Sequence, residues 1–208
     1  MRTVQATLLY KTVFDYPLCC RLLYSLGMIG LKISGWKIEG ITPTQSKFVL
    51  IAAPHTSNWD FPIAMAVAFQ LKLGGFWLGK YALFKGPCKY LFRWLGGIPI
   101  RRNSKTKFVE RAVCLFKNRR KFVLALCPEG TRSETTHWKT GFYHIACEAK
   151  VPVVPVCIDR QNKIVTLGAA RDMTGDQSRD LARLVQFYKS HSAPVPRDYQ
   201  NLVGSKSR

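Results

Sequence analysis

Two short motifs carry the residue types that do chemistry. Pro54-His55-Thr56-Ser57-Asn58-Trp59-Asp60 sets a carboxylate five positions after a histidine, and Cys127-Pro128-Glu129-Gly130-Thr131-Arg132-Ser133 sets an acid and a guanidinium on a glycine-containing turn. A neutral imidazole, held in one tautomer by a carboxylate on its other nitrogen, is the usual general base for taking a proton from a hydroxyl. That chemistry suits transfer of an acyl group to an alcohol. Positions five apart on a regular helix point away from each other, so His55 and Asp60 meet only if the chain between them turns as a loop. Pro54 and the Thr-Ser-Asn stretch favour such a turn. A structural role fits the same residues: His55 capping the following helix and Asp60 supporting its first turn. No G-x-S-x-G nucleophile elbow occurs, which argues against a lipase-type acyl-enzyme, and Ser57 reads as a turn or capping residue rather than a nucleophile.

Arginine binds phosphate through two parallel hydrogen bonds, so Arg101, after Gly97-Ile98-Pro99-Ile100, and Arg132, on adjacent strand ends, would clamp a phosphomonoester. A Glu129–Arg132 ion pair shaping the turn is the alternative, and both can hold. Lys139 and Gly141 would extend the anion site at a helix N-terminus.

These motifs need a frame. The continuous apolar runs 48–53 and 122–126 read as buried strands, each ending directly before its motif. Further strands are expected at 75–79, 97–100, 151–158 and 163–168, and helices at 61–71, 87–95, 105–118, 141–150 and 177–190. Strand and helix alternate, which predicts an α/β fold: a single domain whose central, largely parallel or mixed sheet is flanked by helices. In such sheets ligands bind beyond the carboxyl ends of the strands, so both motifs would share one rim. Pro152 and Pro155 place their strand at an edge or make it irregular. The expected organisation is a helical membrane-interface segment over 1–40, the main domain over 41–190, and a mobile basic tail over 191–208.

Composition narrows the partners. The 208 residues carry 32 Lys+Arg against 12 Asp+Glu, a net charge of +20, with 47% hydrophobic residues, so the chain is a strongly cationic globular domain. Residues 72–121 alone hold fourteen Lys or Arg and one acid, Glu110. A solvated face normally mixes both signs, so an anionic partner is expected, nucleic acid or lipid phosphate. Seven cysteines without C-x-x-C spacing give neither a disulfide framework nor a zinc site, and with no signal peptide in view they fit a reducing cytosol. The apolar N-terminal region is broken by Lys11, Asp15, Pro17, Arg21 and Lys32, too often for a transmembrane helix. Leu18, Leu22, Leu26, Ile29 and Ile33 nevertheless recur on one helical stripe, which either packs on the domain or lies in a membrane interface.

Four ordered blocks carry a resemblance: His55 through Asp60; Gly79-Lys80-Tyr81-Ala82-Leu83-Phe84-Lys85-Gly86-Pro87 through Gly97-Ile98-Pro99-Ile100-Arg101; Pro128 through Ser133; and Val151-Pro152-Val153-Val154-Pro155-Val156. Over roughly 48–190 the chain resembles the glycerophosphate acyltransferase superfamily, in particular its small bacterial lysophosphatidic-acid-type members. Pro54, Ala82 and Cys127 depart from the commoner pattern, and the Pro54-His55-Thr56-Ser57-Asn58-Trp59-Asp60 version looks like that of a distinct subgroup. The resemblance implies that His55 is the general base on the acceptor hydroxyl and Asp60 its orienting partner. It implies that Arg101, Glu129, Gly130, Thr131 and Arg132 hold the acceptor's phosphate, with Lys80 and Lys139 as additional substrate contacts. It further implies an acyl-CoA or acyl carrier protein co-substrate, no cofactor or metal, no nucleic-acid partner, and work at a membrane phospholipid surface on the cytoplasmic face, peripheral or monotopic. Two rivals remain at this level: a basic nucleic-acid-binding protein using Tyr90, Phe92 and Trp94 as platforms, and an acyl-thioester hydrolase with water in place of the acceptor.

Overall fold

The structure, a computed structural model, describes residues 10–100, 105–131 and 135–200. In chain order it contains α1 (Pro17–Ser34), β1 (Lys37–Gly40), β2 (Lys47–Ala53), α2 (Asp60–Gln70), β3 (Phe76–Lys80), α3 (Lys89–Trp94) and β4 (Gly97–Ile100). It continues with α4 (Lys105–Asn118), β5 (Phe122–Leu126), α5 (Gly141–Ala149), β6 (Val153–Asp159), β7 (Ile164–Leu167), α6 (Gln177–Ser190) and α7 (Arg197–Gln200). Short 3₁₀ turns at Val13–Asp15 and Tyr81–Phe84 complete the set.

The strands form one seven-stranded sheet in the order β1-β7-β6-β2-β5-β3-β4. Every neighbouring pair is parallel except β6 with β7. The sheet is therefore largely parallel, as expected, and its central strands are apolar except at their ends, Lys47 on β2 and Asp159 on β6, because helices cover both faces. On β2 the side chains of Val49, Ile51 and Ala53 enter a core shared with Phe116 of α4, Phe142 and Ile145 of α5, and Leu184 of α6. Leu50 and Ala52 point the other way, toward Val67 of α2 and Leu31 of α1. Tyr188 of α6 is fully buried and donates its hydroxyl to the Ile51 carbonyl at 2.8 Å, fastening a helix to the middle of β2.

Three expectations are corrected. β6 lies inside the sheet, between β7 and β2, so of the two readings of its prolines the edge position is overturned and the irregular strand is found. The missing N–H of Pro155 faces β7 where the ladder shifts register, from the Val153–Arg171 bridge to the Val156–Leu167 pair, with one extra residue on the partner side. A proline there costs little pairing, and its carbonyl still accepts from Gly168 N–H at 2.8 Å. The helical part of the 1–40 segment ends at Ser34, where Gly35 adopts φ 77° as a left-handed cap, and Lys37–Gly40 is an edge strand on β7. The stretch from His191 packs on the body over its described part. Ala193, Val195 and Tyr199 join the main core, and the Tyr199 ring lies 5.5 Å from that of Trp138.

The N-terminal stripe does not pack on the domain. α1 meets α2 through small residues, so that a Cβ on Gly27 would sit 3.4 Å from Ala66 Cα, while Gln70 Nε2 donates to the Tyr24 carbonyl at 2.8 Å. Leu31 is buried in this contact. Leu18, Leu22, Leu26, Ile29 and Ile33 face outward, from 50% exposed at Ile29 to 82% at Ile33. Among the described residues, no helix is long and apolar enough to cross a membrane.

Candidate active site

Three adjacent parallel strands, β6, β2 and β5, end on one rim, and each leads to a charged or titratable side chain there. β2 runs into residues 54–59, which form a loop opened by a cis Ala53–Pro54 peptide, and α2 then begins at Asp60. Because the intervening chain is a loop, the His-to-Asp spacing closes: His55 Nδ1 lies 3.0 Å from Asp60 Oδ2. The same oxygen accepts the backbone N–H groups of Thr56 and Ser57, each at 2.9 Å. Asp60 thus folds the loop around itself. Ser57 serves the turn, its Oγ accepting the Trp59 N–H at 3.2 Å.

Asp60 is only 2% exposed, and a carboxylate so buried costs several kcal/mol unless paired. Burial pushes its carboxyl up, but the hydrogen bonds from His55 and Ser57, the charge of His55 and the Thr56 N–H outweigh it and hold Asp60 below the ordinary value of 3.8. It is therefore a carboxylate at neutral pH. An acceptor on Nδ1 makes Nδ1 the protonated ring nitrogen and leaves Nε2 as the basic one. The His55 side chain is 27% exposed, so the ring is reachable from the rim.

The end of β5 supports this loop from the side. Glu129 Oε2 accepts the backbone N–H of His55 at 2.9 Å. The Glu129 carboxyl is raised, first by burial and further by the Asp60 charge, against the lowering effects of the His55 N–H and charge. Cys127, on the same strand end, is pushed up to about 12 by burial, with Glu129 and Asp60 adding to the rise. It is a thiol at neutral pH and so not a ready nucleophile.

Gly130 follows with φ 63°, a left-handed conformation that glycine tolerates, and a Cβ there would run into the Lys139 side chain. Lys139 closes the turn, its backbone N–H donating to Pro128 O at 2.7 Å and its Nζ to Gly130 O at 3.4 Å. Gly130, Thr131 and Lys139 therefore stand together at the β5 end. Lys80 is exposed at the end of β3. Arg101 and Arg132 lie outside the described residues, as do Arg102 and Ser133. The strands that precede the two arginines are not neighbours, since β3 pairs with both β4 and β5 and separates them. That corrects the adjacency expected for an arginine clamp.

One charged group at the site was missed. Arg160 directly follows β6, and its Nη1 is 3.4 Å from Asp60 Oδ1. The signal available in the sequence was its position after a strand-like run; the pairing of β6 with β2, which brings it to Asp60, was not. Among the described residues no group of His, Cys, Asp and Glu is arranged to hold a metal ion.

The fold and site define a largely parallel α/β domain with a carboxylate-oriented histidine at the carboxyl rim of its sheet. The family model named Acyltransferase matches residues 36–159, more than half of the chain, and the protein belongs to that family. Two relatives are the 1-acyl-sn-glycerol-3-phosphate acyltransferases of Escherichia coli (strain K12), 32% identical over 143 residues, and of Haemophilus influenzae (strain ATCC 51907 / DSM 11121 / KW20 / Rd), 28% identical over 140. These matches take in 64% and 62% of this chain and 57% of each relative, so the chain spans little more than half of their length. The crystal structure of the 1-acyl-sn-glycerophosphate acyltransferase PlsC from Thermotoga maritima superposes with a TM-score of 0.57 at 21% identity, over 91% of this chain and 82% of that one, a likeness of fold.

Proposed function

We propose that this chain transfers a fatty acyl group from the thioester of acyl-CoA or acyl carrier protein to the hydroxyl of a lysophospholipid such as 1-acylglycerol-3-phosphate. The observation that carries the reading is the 3.0 Å contact between His55 Nδ1 and a buried Asp60, with the ring open to the rim. In the reaction, His55 Nε2 takes the hydroxyl proton as the acceptor oxygen forms a bond to the thioester carbonyl carbon. The carbon–sulfur bond then breaks, and the leaving thiolate takes the proton back from the imidazolium. Asp60 fixes the tautomer and offsets the charge that develops on the ring. Glu129 acts through the His55 backbone rather than on a phosphate, which its own charge would repel.

The Gly130–Thr131 backbone, Lys139 and, from the sequence, Arg101 and Arg132 are assigned to the acceptor's phosphate, with Lys80 as a further contact. The acceptor and its diacyl product are bilayer lipids, so the protein must meet a membrane. The outward stripe of α1 supplies apolar area for shallow insertion, and the net charge of +20 favours anionic headgroups. We assign it to the cytoplasmic membrane face as a peripheral or monotopic protein that needs no cofactor or metal. An acyl-transfer assay on a panel of lysolipids, with acyl-CoA and acyl carrier protein donors, tests the reading. Acylated lipid supports it; thiol release without acylated lipid would make the protein a thioester hydrolase instead.

A further inference from the structure

We propose that Arg160 is a positioning residue for the His55 base, its guanidinium holding the second oxygen of Asp60 and setting the charge that the imidazole faces. The inference rests on the proposed function in one respect, that His55 is the base.

Asp60 is unevenly loaded. Oδ2 takes three donors, from His55, Thr56 and Ser57, whereas Oδ1 is buried with no hydrogen-bond partner and has Arg160 Nη1 at 3.4 Å. The three donors hold Oδ2, but the terminal torsion of an aspartate is broad, so Oδ1 can still swing about that anchor. A cation on Oδ1 opposes the swing.

Arg160 is itself well supported. Its neighbour Asp159 is occupied by Asn162, which donates its backbone N–H at 3.0 Å and its side-chain amide at 2.7 Å. The turn is thereby fixed without using the Arg160 guanidinium, which is left to Asp60. Because β6 pairs in parallel with β2, this turn always opens on the His55 side of the rim.

The charged and titratable groups recorded against the dyad among the described residues are Arg160, from the end of β6, and Glu129 and Cys127, from the end of β5. Cys127 is a neutral thiol, and Tyr188 beneath β2 is a neutral phenol. Without Arg160 the imidazole would face the Asp60 carboxylate and the Glu129 carboxyl without the cation at the end of β6. A nearby positive charge works against a second proton on an imidazole, and a doubly protonated ring accepts none from a hydroxyl, so the Arg160 guanidinium favours the basic form of the ring.

The test is the pH profile of kcat/KM for wild type, Arg160→Gln and Arg160→Lys. The Gln variant should lose activity on the acid side at a pH higher by about half a unit to one unit, the Arg160 side chain being 35% exposed and its charge partly screened. The Lys variant should recover most of that shift. In an Asp60→Asn background the further Arg160→Gln change should move the acid limb much less. The His55 ring Cε1–H resonance, assigned by its absence from the His55→Gln spectrum, should titrate at a correspondingly higher pH in Arg160→Gln without substrates. That readout requires no acyl transfer, so it supports or overturns the Arg160 assignment even if the reaction is something else. A folded Arg160→Gln protein with unchanged acid limb and unchanged His55 titration overturns the proposal. So does a rise in acceptor KM with the pH profile unmoved, which would make Arg160 a substrate ligand.

Discussion

Glu129 accepts the backbone N–H of His55 across 74 residues of chain at 2.9 Å, so the second motif of this protein holds the first in place. The contact exists because β5 pairs directly with β2, Ile51 lying opposite Leu126, and the two strands end together. Glu129→Ala should leave that N–H without its acceptor and cost about 1–3 kcal/mol, or about 2–4 °C of Tm for each kcal/mol in a chain of this size. Glu129→Gln, which keeps an acceptor oxygen, should lose much less. Thermal denaturation of both variants, with kcat measured alongside, separates a loop support from a substrate ligand.

Asp60 makes stability depend on acidity. Its carboxyl is held below the ordinary 3.8 in the fold, so its contribution is fully present above that pH and lost as pH falls through the lower folded value. Asp60→Asn lacks that contribution. The Tm gap between wild type and Asp60→Asn should be widest above pH 3.8 and narrow below it, as read from melting curves over a pH series. A gap that widens on acidification contradicts the assignment.

The α1 stripe separates binding from folding. Because Leu22 and Ile29 point outward, Leu22→Glu with Ile29→Glu should change Tm little, within about 0.5 kcal/mol for each site, yet weaken co-sedimentation with anionic vesicles. Deleting residues 1–34 is the blunter test, since it also uncovers the α2 face that buries Leu31. Salt should reduce vesicle binding without abolishing it, each cation near the surface contributing about 1 kcal/mol and the apolar stripe being unscreened.

Arg101→Ala and Arg132→Ala should raise the acceptor's KM about ten- to hundredfold, the loss of a charged hydrogen bond to phosphate, and leave the donor's KM nearly unchanged. Steady-state kinetics with each substrate varied in turn decide it. A rise confined to the donor would reassign both residues.

Much of this architecture was legible in the sequence, for physical reasons. Long apolar runs such as 48–53 read as strands because both sheet faces are covered, and the stripe of α6 read as a helix because one side packs and the other is wet. His55 and Asp60 were legible because Pro54 and polar turn residues stand between them. β1 was not, since its four residues form an edge strand whose side chains are mostly exposed and show no alternation. Nor was strand order, which depends on pairings between distant segments: it brings Arg160 to Asp60, sets β3 between β4 and β5, and holds Pro155 in an interior strand. The partner of Glu129 was hidden for the same reason, since its local neighbour Arg132 was the obvious candidate.

The step to be tested is proton transfer from an acceptor hydroxyl to His55 during acyl transfer from a thioester. It is tested by measuring thiol release and acylated lipid together, for wild type and His55→Ala, with lysophospholipid acceptors and acyl-CoA or acyl carrier protein donors. Wild type should release one thiol for each acylated lipid, and a folded His55→Ala protein should lose both by about 10²–10⁴-fold, the usual contribution of a positioned base. Near-normal turnover in folded His55→Ala, or thiol release by wild type without acylated lipid, would contradict the account.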